Sequence, residues 1–281
     1  MNELDVLIEL ARHQPENIQN ASQTMLADLQ QRGLVKDDLT LTEAGYAYLE
    51  PYRVKRAVLI AAGFGSRMVP LTYTTPKPLI KVHGRRIIET LLDALLAAGI
   101  EEIIICRGYL KETFDVLKDK YPMIQFVENP DYASCNNISS IYYCRDYLSQ
   151  AYILESDLFL YNPDLIRPYE YRTNYISKPV EKTDDWCFDV KGDIIQSVSI
   201  GGEDCEQMYG ISYWQADDAQ KLAEDLKNVF ESEDGKNLYW DEVALKVHPE
   251  HYTLAVRRVQ EGDIIEIDTY DELKAIDHSY Q

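Results

Sequence analysis

The chain has 281 residues, 46% of them hydrophobic, and sets 48 acidic side chains against 28 basic ones for a formal net charge of −20. Such a surplus of carboxylates excludes nucleic acid as a partner, because that binding depends on cations neutralising phosphates. Asp5, Glu9 and Arg12 interrupt the only early apolar stretch, so no membrane insertion and a cytoplasmic location are expected, and five cysteines without a CxxC pair suggest neither a disulfide framework nor a zinc site.

Residues 1–52 read as a module of their own, ahead of a larger domain over 53–281. Leu4, Leu7, Ile8 and Ala11 recur at helical spacing, Ser22 is placed to cap a second long helix ending near Gly33, and 34–41 predicts a short wing. The pattern resembles a trimmed winged helix-turn-helix. Its bases are Arg12, Arg32 and Lys36, far outnumbered by acids, and Arg32 sits at the C-terminal end of the would-be recognition helix, away from where base contacts begin. Packing, regulation or homodimerisation through its apolar helices is the expected role.

From Ala57 onward, strand and helix patterns alternate. The run 57–62 is a buried strand, 86–98 a helix stopped by Gly99, 102–106 a second strand, 111–120 a helix, 124–128 a third strand, 138–148 a helix and 152–155 a fourth strand. Alternation of this kind predicts an α/β fold: a mainly parallel, Rossmann-like sheet with helices on both faces. Beyond Asp157 the pattern is more mixed, with short strands near 171–177, 185–190, 194–200 and 208–214.

Gly63 and Gly65 directly follow the first strand. They leave the backbone free of Cβ atoms, so the N–H groups from Ala61 and Ala62 to Ser66 can close on phosphates, with Arg67 and Lys77 as cations at the two ends. Met68 stands where a dinucleotide fingerprint needs its third glycine, and no Gly-Lys-Ser/Thr follows, so the dinucleotide and Walker readings both fail. Gly63, Gly65, Arg67, Pro70, Leu71, Thr72, Pro76, Lys77, Pro78 and Leu79 together resemble the signature of the nucleotidylyltransferase family built on the sugar-phosphate pyrophosphorylase fold. Lys81, Arg85 and Arg86 add positive charge to this stretch, an expected local answer to the acidity of the whole chain.

The strand 152–155 leads into Asp157, and its two carboxylates, Glu155 and Asp157, alternate and leave on one face. The family resemblance implies that Asp157 holds a divalent metal bridging the nucleotide phosphates, and that Asp268 is the second metal-binding aspartate; Asp268 reads equally as the N-cap of the last helix. Mg²⁺ suits an oxygen-only set completed by substrate phosphates. Asn136-Asn137, Thr183-Asp184-Asp185-Trp186, the segment 210–214, Tyr239-Trp240-Asp241 and Glu266-Ile267-Asp268 are similar to the bacterial CTP:phosphocholine cytidylyltransferases, over nearly all of 55–281.

That resemblance implies a nucleotide half over about 55–157 and an acceptor half over about 158–281, acting on CTP and phosphocholine to give CDP-choline and pyrophosphate by metal-assisted in-line displacement. Arg67 and Lys77 are the expected catalytic cations. Asn136 and Asn137 either read the base or ribose or cap the following helix, and Arg107 and Tyr109 are placed to line the base pocket from the opposite side. A quaternary ammonium donates no hydrogen bond and is recognised by aromatic faces beside carboxylates, which singles out Trp186, Tyr213 and Tyr239 with Asp185 and Asp241. Lys182 either reaches the acceptor phosphate or is an exposed lysine. Two alternatives stand beside this reading: the same fold with a sugar 1-phosphate, phosphoethanolamine or aminophosphonate as acceptor, or a transcription regulator whose nucleotide domain senses a metabolite.

Overall fold

Side-chain oxygens start all three N-terminal helices in the computed structural model, which describes Met1–Gln281. Asn2 caps α1 (Glu3–Ala11) in a reciprocal capping box with Asp5, Ser22 caps α2 (Gln23–Gln31) at the N–H of Met25, and Thr42 caps α3 (Glu43–Leu49) at that of Gly45. Between α2 and α3 the predicted wing is reduced to one antiparallel bridge, Val35 to Leu41. Val6, Leu7, Leu10, Leu29, Leu49 and Tyr169 are buried together. The compact unit thus formed is Met1–Val54 with Arg167–Tyr171, a segment far along the chain. Buried Glu9 is satisfied by Arg12 at 2.8 Å and Arg167 at 2.9 Å.

The second unit, Lys55–Ile166 with Arg172–Gln281, is built on β1 (Arg56–Ala61), a small hairpin of β2 (Lys81–Val82) and β3 (Arg85–Arg86), α4 (Ile87–Ala97), β4 (Glu102–Arg107), β5 (Gln125–Glu128), α5 (Ile138–Cys144), β6 (Ala151–Glu155) and β7 (Leu158–Leu160). Two long strands follow, β8 (Asn174–Lys191) and β9 (Ile194–Trp214), then α6 (Ala216–Phe230), α7 (Trp240–Glu242), β10 (Ala255–Arg258), β11 (Ile264–Glu266) and α8 (Tyr270–Ile276). Seven strands form one sheet in the order β10-β8-β9-β6-β1-β4-β5, with β9 antiparallel to both β6 and β8 and the pairs around β1 parallel. The chain goes from β1 to β4 on one side and reaches β6 on the other. The carboxyl end of β1 is therefore where the topology opens a crevice for a ligand.

Three expectations need correction. The stretch Lys111–Asp119 is a run of 3-10 turns, and the helix expected to reach 148 ends at Cys144 before a 3-10 turn over Arg145–Tyr147. The four short strands of the second half are segments of β8 and β9, each bent: the β8 register shifts between Thr183 and Trp186, and Gly201 in β9 takes φ +75°. Beyond the bends the ribbon folds on itself, so that Cys187 pairs with Ser199 on one side and Gln207 on the other. A bend and a break leave the same mark in sequence, so a bent strand reads as two short ones.

Candidate active site

A cavity of about 490 Å³ opens at the carboxyl ends of β1 and β6. Its floor is the loop after β1. Gly65 has φ +67°, and a Cβ there would come within 3.2 Å of both Lys77 Cβ and Thr72 Cγ2, so glycine is required by conformation and by crowding. The Thr72 hydroxyl donates to the Gly65 carbonyl at 3.1 Å, tying the loop to the segment that delivers Lys77.

Lys77 is the electrostatic centre. Its ammonium donates to Asp157 Oδ2 at 2.8 Å and to Asp268 Oδ1 at 2.7 Å, and Arg67 reaches the same Asp268 oxygen at 2.9 Å. Burial alone pulls the Lys77 ammonium down, but the two carboxylates outweigh it and hold its pKa above the ordinary lysine value. Asp157 is carried past the end of β6, where the Ser156 hydroxyl donates to the Ile60 carbonyl of β1. Asp268 follows β11; the N-cap of α8 is Thr269, in a capping box with Glu272, so the Asp268 carboxylate is left for the cavity.

Further carboxylates converge behind these two. Burial, then Asp157 and Asp241, raises the Glu155 carboxyl well above its usual range; burial, then Asp157 and Asp268, pushes Glu266 up to about 8. Asp241, fully enclosed, is pushed up to about 7 by burial although the Tyr175 hydroxyl donates to it at 2.9 Å. Two features make this cluster a fitting place for a hard divalent cation. Oxygens of Glu155, Asp157 and Glu266 lie within 4.8 Å of one another, and Asp157 Oδ1 is buried without a hydrogen-bond partner.

Of the residues singled out from sequence, Ala61, Ala62, Gly63, Gly65, Arg67, Lys77, Asn136, Asn137, Asp157, Asp185, Trp186, Tyr239, Asp241 and Asp268 line this one cavity. Asn137 accepts from the Trp240 N–H at 2.9 Å and extends its amide to Glu155 at 3.4 Å, while Asn136 donates to the Asn237 carbonyl at 3.1 Å. Neither asparagine side chain caps α5.

The others lie elsewhere. Ser66 opens a 3-10 turn beside the loop without lining the cavity. Arg107 turns to the opposite face of β4, over the Phe126 ring at 4.0 Å and paired with Asp115 at 2.7 Å. Tyr109 spends its hydroxyl on the Thr72 carbonyl at 2.9 Å. Tyr213 is a core residue in mid-sheet, edge-on to Tyr152, and the tryptophans Trp214 and Trp240 are buried in the same unit. Lys182 is exposed and pairs with Glu203 at 3.1 Å. Arg85 and Arg86 are paired with Asp93 and Glu89, and neither they nor Lys81 line the cavity, whose cations are Arg67 and Lys77.

Glu155, Asp184, Ile200, Met208, Gly210 and Glu266 also line the cavity, and the sequence reading gave none of them a site role. A signal for two of them was present. Glu155-Ser156-Asp157 and Glu266-Ile267-Asp268 repeat a Glu-x-Asp spacing, which in extended chain puts both carboxylates on one side.

A family model described as Nucleotidyl transferase matches residues 56–161. The chain is 41% identical over 229 residues to the 2-aminoethylphosphonate cytidylyltransferase of Lancefieldella rimae, covering 80% of this chain and 92% of that protein. It is 32% identical over 225 residues to the choline-phosphate cytidylyltransferase of Streptococcus pneumoniae, covering 79% and 96%. The solved CTP:phosphocholine cytidylyltransferase of Streptococcus pneumoniae superposes with a TM-score of 0.76 at 31% identity, over 82% of this chain and all of that one.

Proposed function

The chain belongs to the nucleotidyl transferase family, and on that premise we propose that it is a cytidylyltransferase joining CTP to a small phosphonate or phosphate with a primary ammonium, of which 2-aminoethylphosphonate is the first choice. The observation that carries the acceptor is the makeup of the cavity wall. Asp184, Asp185 and Asp241 stand there beside a single tryptophan, Trp186, and a single tyrosine, Tyr239. A primary ammonium donates three charge-assisted hydrogen bonds and suits that wall, whereas a quaternary one donates none and depends on aromatic faces. The relative at 41% identity acts on the aminophosphonate. Phosphocholine remains the second reading, favoured by the edge-on Trp186–Tyr239 pair at 5.7 Å.

An oxygen of the acceptor, already anionic, attacks the α-phosphorus of CTP; a P–O bond forms there as the bond to the β-phosphate oxygen breaks and pyrophosphate leaves. No nucleophilic side chain has to be activated. Lys77, fixed by Asp157 and Asp268, exchanges part of that pairing for phosphate oxygens that gain charge, and Arg67 at the cavity rim faces the departing pyrophosphate. The Gly63–Gly65 backbone lets phosphates approach closely, and Asn136 and Asn137, which line the same cavity, are the amides we assign to the base or ribose. A divalent ion such as Mg²⁺, held by Asp157 and Asp268, would neutralise charge on the phosphates.

The N-terminal unit we read as a packing, regulatory or dimerisation module. Arg32, the one base of its second helical segment, is held by Glu3 at 2.6 Å and Asp28 at 3.1 Å and offers no spare cation to a phosphate backbone. No helix is long and apolar enough to cross a membrane. Light scattering tests the dimer, and a monomer at micromolar concentration removes that role.

The test of the chemistry is pyrophosphate release with Mg²⁺ and CTP, comparing 2-aminoethylphosphonate, phosphoethanolamine, phosphocholine and glucose 1-phosphate. Release with the primary amines is the expected result. Preference for phosphocholine would shift the acceptor to the second reading, and silence with all four would overturn the transferase assignment.

A further inference from the structure

A contact chain outside the cavity ends on its aromatic wall. Lys246 Nζ stands 4.2 Å from the centroid of the Trp186 ring and 3.1 Å from Glu242 Oε1. The other oxygen of Glu242 accepts the Tyr239 backbone N–H at 2.9 Å, and the Tyr239 ring meets Trp186 edge-on, with planes 70° apart. Trp186, Tyr239, Glu242 and Lys246 therefore close a ring of contacts. Lys246 is supplied by a π-helical turn over Val243–Val247, a geometry that recurs at functional sites. Trp186, opposite Ile200, is the first residue paired after the register shift of β8, so this clamp holds the indole beside the bend.

The charge matters as much as the clamp. A cation resting on an indole draws on the same π electrons that a second cation would need from the ring. A ligand ammonium that donates hydrogen bonds to carboxylates depends less on the ring, while a quaternary ammonium, which has no hydrogen to donate and leans on aromatic faces, is disfavoured more by the competing charge.

We infer that Lys246 is a specificity-determining residue: it pins Trp186 against Tyr239 and occupies the indole with positive charge, biasing the acceptor site toward primary ammonium groups and against quaternary ones. The inference rests on the reading of the acceptor as a small cationic phosphonate or phosphate. Lys246 acts through Trp186 and is a positioning residue.

The experiment compares wild type, Lys246→Met, which keeps the stem without the charge, and Lys246→Arg, which keeps the charge. For each, kcat/KM is measured with 2-aminoethylphosphonate and with phosphocholine at saturating CTP. Lys246→Met is expected to raise the phosphocholine to aminophosphonate ratio by about three- to tenfold, the span of a partly desolvated cation–π contact, while Lys246→Arg stays within about twofold of wild type. An unchanged ratio in Lys246→Met, or an equal shift in Lys246→Arg, overturns the role of the charge. A wild-type enzyme that turns over neither acceptor overturns the acceptor reading and this inference with it, so the two failures are told apart by wild type alone.

Discussion

Replacing Lys77 by methionine keeps the volume of the side chain and removes the cation that Asp157 and Asp268 share at 2.8 and 2.7 Å. The two carboxylate oxygens are then left roughly 5 Å apart with only Arg67 still paired to Asp268, and at an effective dielectric of about 20 their repulsion is at most about 3 kcal/mol. In a domain of this size that corresponds to a fall in Tm of roughly 6–12 °C. Turnover should drop roughly a hundredfold or more, because a preorganised donor to developing charge is lost. The two effects separate on adding millimolar Mg²⁺: thermal denaturation should recover more in the variant than in wild type, since the ion replaces the missing charge between the carboxylates, whereas pyrophosphate release should not recover. A variant with wild-type Tm and turnover would refute the placement of Lys77 as both electrostatic keystone and catalyst, and loss of Tm with full turnover would leave it a structural role only.

Asp157→Asn should lower pyrophosphate release by roughly a hundredfold and raise the Mg²⁺ concentration needed for half-maximal rate, checked by metal titration. Gly210→Ala introduces a Cβ within 2.5 Å of the Glu155 carboxylate, and urea denaturation should read a loss of about 1–3 kcal/mol, with parental stability counting against the crowding. Asp241 carries a folded pKa of about 7, above that of an unfolded carboxyl. The proton it retains favours the folded protein fully below about pH 4, and that advantage drains away as pH rises through 7. Asp241→Asn should therefore flatten the decline of urea-measured stability between about pH 4 and pH 7; an unaltered pH profile would mean that the buried carboxyl is not the group titrating.

What the sequence carried well was local. The glycines and cations after the first strand, and the acids at the ends of the strands, declare themselves by residue type and spacing, and 57–62, 102–106 and 152–155 fall on β1, β4 and β6 within one residue. What it carried badly was side-chain direction. Arg107 and Tyr109 lie at the right end of β4, yet one faces Asp115 and the other turns to the Thr72 carbonyl, a choice fixed by neighbours distant in sequence. Tyr213 and Trp186 look alike as aromatics beside polar residues, but register places Tyr213 opposite Tyr152 in mid-sheet and the bend in β8 brings Trp186 out into the cavity. Lys246 had no signal at all, since its partner Trp186 lies in a strand that only the ribbon's fold brings near.

The five residues Arg167–Tyr171 impose an order on how this protein is made. Tyr169 fills the hydrophobic centre of the N-terminal unit, Arg53 lies over its ring at 4.8 Å, and Arg167 supplies a counter-charge to buried Glu9. None of this exists when the ribosome has finished residue 54. At about 5–20 residues per second, the first helices wait on the order of ten seconds for the segment that completes them. The N-terminal unit thus stays open until residue 171 has been made, and cutting the gene at residue 54 should yield a fragment that is open, sticky and in want of a five-residue peptide.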